Sequence, residues 1–185
     1  MDQEANGRTP VVVGVTGSIA AFKAAALVSQ LVQRDYDVTV ILTESATRMV
    51  TPATFQALTR GPVLVDLWAS VEANPMGHLE STDHTRAFVV APATADFIGK
   101  VACGIADDAL TTSILACTAP VLIAPAMNPR MWANPIVQRN VKSLEDVGYE
   151  FLGPVEGRLA EGVTGMGRMM EPEEILAAVE RVAGA

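Results

Sequence analysis

Asn128 is the residue of this chain best equipped for molecular recognition. Its amide can donate two hydrogen bonds and accept others. It stands in Pro125-Ala126-Met127-Asn128-Pro129-Arg130-Met131-Trp132, directly after the apolar run 120–124. That run reads as a buried strand, and strands of this kind deliver their last residues to the sheet edge where ligands of α/β proteins collect. Met127, Met131 and Trp132 then surround the amide with apolar surface, the composition of a small-molecule pocket. The competing reading makes those three side chains ordinary core of an amphipathic helix.

Other groups offer chemistry at intervals along the chain. His78 and His84 lie in an irregular polar stretch, 69–84. An imidazole titrates near neutrality, so either is a candidate for proton transfer, and spacing does not choose between them. Thr16-Gly17-Ser18 follows the β-branched run 11–15 and precedes an alanine-rich helix expected over 19–34. This is a mononucleotide-binding layout, in which glycine admits a phosphate and the helix N-terminus supplies N–H groups. Thr43 and Ser45 end the next strand, 37–42, with hydroxyls suited to a helix cap or a phosphate. Asp107 and Asp108 read first as helix caps and only second as an acid/base pair. Arg168 fits an anion clamp or a surface salt bridge. The two cysteines, Cys103 and Cys117, lack metal-ligand spacing and read as core thiols, so no metal site is expected.

Strands expected at 11–15, 37–42, 63–68, 87–91, 121–124 and 149–152 alternate with helices, and the last helix opens at Glu171. That alternation argues for an α/β fold: a single-domain, doubly wound parallel sheet. The strand ends at 16–18, 43–45, 92–96 and 125–128 then share one edge, where one crevice could hold a nucleotide-like cofactor and a substrate. The segment 153–167 reads as a long glycine-rich loop, which in a compact domain is usually functional. Residues 1–10 are expected to be a disordered N-terminus, with the domain filling 11–185. Net charge is −8 with no basic stripe, which argues against nucleic acid. No run has the length of a membrane span or the apolar core of a signal peptide, so a cytoplasmic location is expected.

Pro-x-Met-Asn-x-x-Met-Trp resembles the substrate-binding signature of the flavin-dependent cysteine decarboxylases, a family of Rossmann-like flavoproteins. The resemblance extends from about Val11 to Ile175 and includes the turn from Gly17 to Ala21, the segments 92–96 and 104–108, His78-Leu79-Glu80 and the loop 157–169. It implies FMN, contacted by Gly17, Ser18, Ile19, Thr43, Ser45, Thr94, Ala95, Asp96, Phe97 and Ala126. It implies a catalytic His78, and Asn128 holding a substrate carboxylate beside Met131, Trp132 and Arg168. It also implies a homo-oligomer, trimer or dodecamer. In such enzymes the cysteine CH2–SH is oxidised to a thioaldehyde, and loss of CO2 then gives an enethiolate. One departure stands out: the family's clamp loop commonly carries Ala-Cys-Gly, whose cysteine returns the reducing equivalents, and this chain has Ala160-Glu161-Gly162. His84 and Arg86 also depart from the pattern, which has Trp and Asp there. The missing cysteine leads to the first expectation: oxidative decarboxylation of a peptide's C-terminal cysteine to an aminoenethiol, for a ribosomal peptide natural product. Phosphopantothenoylcysteine decarboxylation in coenzyme A biosynthesis is the alternative, and a non-catalytic flavin-binding regulatory protein the third.

Overall fold

The computed structural model describes residues 7–67 and 82–184. Six strands form one parallel sheet in the order β3-β2-β1-β4-β5-β6. They are β1 (Thr9–Val15), β2 (Tyr36–Leu42), β3 (Val63–Leu64), β4 (Ala87–Ala93), β5 (Val121–Pro125) and β6 (Glu150–Phe151). Every residue of β4 is buried, as a central strand covered on both faces requires. One face is covered by α1 (Ala21–Gln33), α3 (Pro52–Thr59) and a C-terminal helix, α8 (Pro172–Ala183); α2 (Glu44–Thr47) follows β2. The other face is covered by α4 (Ala95–Ala102), α5 (Ala109–Ala116) and α7 (Pro135–Asp146). A single turn of helix, α6 (Pro129–Trp132), follows β5.

The strand order reverses direction between β1 and β4. In a doubly wound sheet this switch point opens a crevice at the carboxyl ends of the strands. Buried Thr16 ties the two ends together there. Its hydroxyl donates to the Pro92 carbonyl at 2.8 Å and accepts from the Thr94 N–H at 3.0 Å.

The structure departs from the sequence expectations in four places. Strand β1 begins at Thr9, inside the segment expected to be disordered. The edge strand β3 has two residues rather than six, and Trp68 lies outside the described residues. Cys103 is exposed and Cys117 half-buried, at the C-terminal ends of α4 and α5, so neither is a fully buried core thiol. The stretch 153–167 is largely an antiparallel hairpin, β7 (Val155–Arg158) with β8 (Thr164–Arg168), in place of a loop. Its glycines and charged residues hide the strand signal, because β-propensity reflects packing on a half-buried surface and this hairpin is largely exposed.

Candidate active site

The crevice consists of two cavities, of about 680 and 370 Å3, that share Gly17, Thr94 and Asp96. The sequence-derived residues divide between them. Ser18, Ile19, Ala95, Ala126, Asn128, Met131 and Arg168 line the larger cavity. Thr43, Ser45 and Phe97 line the smaller. Trp132 lines neither in this structure; it is half-buried and packs against the core cluster beneath α4, α5 and α7. His78 lies outside the described residues.

Each element places its polar groups for a definable reason. Gly17 lies against α2 so closely that a Cβ would come within 2.5 Å of the Ser45 Cβ, and this contact brings the Ser45 hydroxyl beside the start of α1. Among the described residues, neither that hydroxyl nor the Ile19 N–H has a protein hydrogen-bond partner. The first turn of α1 carries no acidic residue, leaving the positive end of its dipole uncompensated. Thr94 caps α4 through its hydroxyl, which accepts from the Phe97 N–H. Asp108 forms a capping box with Thr111, and Asp107 pairs with Lys100 at 3.1 Å. The capping reading therefore holds for Asp108, whereas Asp107 is an ion-pair partner. That pairing, by hydrogen bond first, raises the Lys100 pKa.

Asn128 caps the short α6: its Oδ1 accepts from the Arg130 N–H at 2.8 Å. Only the amide oxygen can accept, so the orientation is fixed and Nδ2 is left to face the cavity. There it donates to Glu161 Oε2 at 2.5 Å. Glu161 reaches it because β8 is docked on the Asn128 segment. The Met127 N–H donates to the Gly167 carbonyl at 3.0 Å, and Gly165 lies against Pro129. A Cβ on Gly167 would run into the Met127 carbonyl.

Two residues of this site carried little signal in the sequence. Lys23 is a cation in the otherwise uncharged α1, and it points into the larger cavity. Its Nζ lies 2.9 Å from Glu171, which Arg168 also contacts. Burial first, and then the charge of Arg168, lower the Lys23 pKa, while Glu173 and Glu174 oppose the shift. Arg158, at the end of β7, lines the same cavity and has no ion pair among the described residues. The signal for Lys23 was a single charge on a helix whose neighbours are apolar; for Arg158 it was only its place in the loop 157–169 that the resemblance covers.

A family model described as Flavoprotein matches residues 2–184. This chain belongs to the Flavoprotein family. The coenzyme A biosynthesis bifunctional protein CoaBC of Bacillus subtilis (strain 168) is 50% identical over 171 residues, 92% of this chain and 42% of that protein. The CoaBC of Haemophilus influenzae is 43% identical over 169 residues, with 91% and 42% covered. That of Mycobacterium tuberculosis (strain H37Rv) is 47% identical over 165 residues, with 89% and 39% covered. The chain thus spans less than half the length of these curated relatives. Among solved structures, a cysteine-to-serine mutant of PPC decarboxylase complexed with pantothenoylaminoethenethiol superposes with a TM-score of 0.84 at 31% identity, covering 96% of this chain and all of that one. The FMN-dependent cysteine decarboxylase TvaF, from thioviridamide biosynthesis, gives 0.82 at 28%, with 97% and 100% covered.

These findings correct the order of the functional expectations. Backbone similarity does not separate the two kinds of decarboxylase, since both superpose equally well. The curated relatives do, because those reported above, at 43–50% identity, are coenzyme A biosynthesis proteins. The peptide-modifying reading is overturned on that ground. Among the described residues no helix is long and apolar enough to cross a membrane, and no cluster of side chains could hold a metal ion.

Proposed function

We propose that this chain is an FMN-dependent decarboxylase of a phosphopantothenoylcysteine-type substrate. The observation that carries the reading is the Asn128 amide, held by its own helix cap so that its N–H donors face the cavity beside the α1 turn. The identity to the CoaBC proteins supports the substrate class.

The residues fit FMN. Hydroxyls of Ser18, Thr43 and Ser45, the free Ile19 N–H and the α1 dipole suit a phosphate and ribityl chain without a dedicated cation. Ile19 and Met131, each exposed, offer apolar surface for the ring in the larger cavity. When bound, FMN supplies the two-electron acceptor that oxidation of the cysteinyl CH2–SH requires. The rest falls to the protein. Asn128 Nδ2 holds the substrate carboxylate through charge-assisted hydrogen bonds, orienting it for loss. His78 accepts the thiol proton at an imidazole nitrogen, the one group type here that titrates near neutrality. Lys23, Arg158 and Arg168 give the larger cavity a cationic side for an anionic substrate tail. The chain acts as a homo-oligomer, trimer or dodecamer, as the family resemblance implies.

The test is to load the protein with FMN, supply 4′-phosphopantothenoylcysteine in air, whose oxygen can reoxidise reduced flavin, and measure CO2. Steady release that needs both FMN and the substrate carboxylate is expected. A yellow protein that releases none would leave a flavin-binding role without turnover.

A further inference from the structure

We propose that Glu161 is an internal occupant of the carboxylate subsite on Asn128, which a substrate carboxylate must displace, and that it thereby sets how tightly this chain holds acid substrates. The inference rests on the decarboxylase reading for the identity of the incoming carboxylate.

Three observations combine. First, the acceptor on Asn128 is a carboxylate, the same group that the reading assigns to the substrate, and it sits 2.5 Å from Nδ2. Second, the position is built. The tip of the hairpin is closed by Leu159 N–H to Val163 O at 2.8 Å and Gly162 N–H to Leu159 O at 2.9 Å. The base of the hairpin is docked on Met127 and Pro129 through Gly167 and Gly165. Third, the pairing is selective. Lys23, Arg158 and Arg168 line the same cavity, and an unconstrained carboxylate would favour a cation over a neutral amide. Lys23 and Arg168 are committed to Glu171, Asp96 is paired with Lys100, and Glu161 meets Asn128 instead.

Substrate and Glu161 cannot both use the same amide hydrogen, so binding carries the cost of breaking the internal contact. The hairpin tip must lift or turn Glu161 outward, where it is already exposed to solvent. Glu161 is thus a specificity residue: it lowers the affinity of every ligand that must displace it from Asn128 and leaves ligands without a carboxylate unaffected.

The experiment is calorimetric binding to the FMN-loaded protein, with two unreactive probes: N-acetyl-S-methylcysteine, which has the carboxylate, and N-acetyl-S-methylcysteamine, which lacks it. Glu161→Ala is expected to tighten the acid probe by roughly tenfold, the size of one charge-assisted hydrogen bond. Glu161→Gln, which keeps the shape and a weaker acceptor, is expected to tighten it less. Neither variant should change binding of the cysteamine probe. The gain should persist at 1 M salt, where the Debye length of about 3 Å removes long-range charge effects but not a contact. Acid-probe affinity that is unchanged or weaker in both variants, or a gain abolished by salt, overturns the inference. CO2 release by the unmodified protein is scored separately, so loss of the decarboxylase reading and loss of this inference are distinct results.

Discussion

Lys23 Nζ lies 2.9 Å from a Glu171 carboxylate oxygen, at the point where α1, the hairpin and the start of α8 meet. Two cations, Lys23 and Arg168, share this one carboxylate. Glu173 and Glu174 add their charge nearby, yet burial still disfavours the Lys23 ammonium beside the larger cavity.

The pH dependence of Lys23 follows from the sign of its shift. Its folded-state pKa lies below the ordinary 10.5. Between that lowered value and 10.5, the unfolded chain holds a proton that the folded chain has released, so stability rises with pH across the window. Below it, the folded chain bears the full cost of the charge. Lys23→Met is therefore expected to be more stable than the parent at pH 7, and the advantage should shrink as pH climbs toward 10.5. Urea midpoints at several pH values read this directly. A variant less stable than the parent at pH 7 would show that the ion pair outweighs the burial. The same variant should bind anionic substrate more weakly, which is what a cation kept for function at the expense of stability predicts.

Much of the sheet was legible because buried parallel strands are continuous apolar runs. Residues 11–15, 87–91 and 121–124 announce β1, β4 and β5 without ambiguity, and glycine and hydroxyl residues mark their ends. The hairpin was not legible, since Val155–Arg158 and Thr164–Arg168 carry only part of an alternating pattern and are held by backbone contacts to Met127. Asn128 was visible as a polar group in an apolar stretch. Its fixed orientation was missed, although Asn128-Pro129 is an N-cap pattern and the Arg130 N–H is the N2 donor such a cap takes. Trp132 illustrates the opposite limit: its spacing suits a pocket wall and a core equally, and tertiary packing leaves it half-buried against the core's edge.

Docking of the hairpin rests on the lack of a side chain at position 167. Gly167→Ala would drive a methyl group into the Met127 carbonyl, so the two backbones must separate. A cost of ~1–3 kcal/mol is expected, typical of overpacking. Because the hairpin carries Glu161 and Arg168, the change should also raise KM for the cysteinyl substrate. Thermal unfolding and steady-state kinetics on the one variant check both. Unaltered kinetics in a destabilised protein would mean that the hairpin's docking is structural only.

Asn128 has two duties that one substitution separates. Asn128→Asp retains an oxygen to cap the Arg130 N–H, so α6 and the fold should persist. It replaces the cavity-facing donor with a carboxylate, which repels both Glu161 and the substrate's own carboxylate. We expect kcat/KM for CO2 release to fall on the order of 100-fold or more, with flavin content unchanged. Retained activity would remove Asn128 from carboxylate binding.

The mass of the released product reports where the substrate's electrons go. The chain contains only two cysteines, Cys103 and Cys117, and neither lines either cavity. Position 161, where the resemblance places a reducing cysteine, carries a carboxylate that has no such redox chemistry. Oxidised substrate therefore meets no thiol of this chain in the crevice. With 4′-phosphopantothenoylcysteine, the product expected is the enethiol, two hydrogens lighter than the saturated thiol. Glu161→Cys should shift the product toward the saturated form when an external thiol is supplied. Mass spectrometry of both reactions decides it. A parent protein that yields only saturated product without added thiol would show that the flavin returns the two electrons it took, and would overturn this expectation.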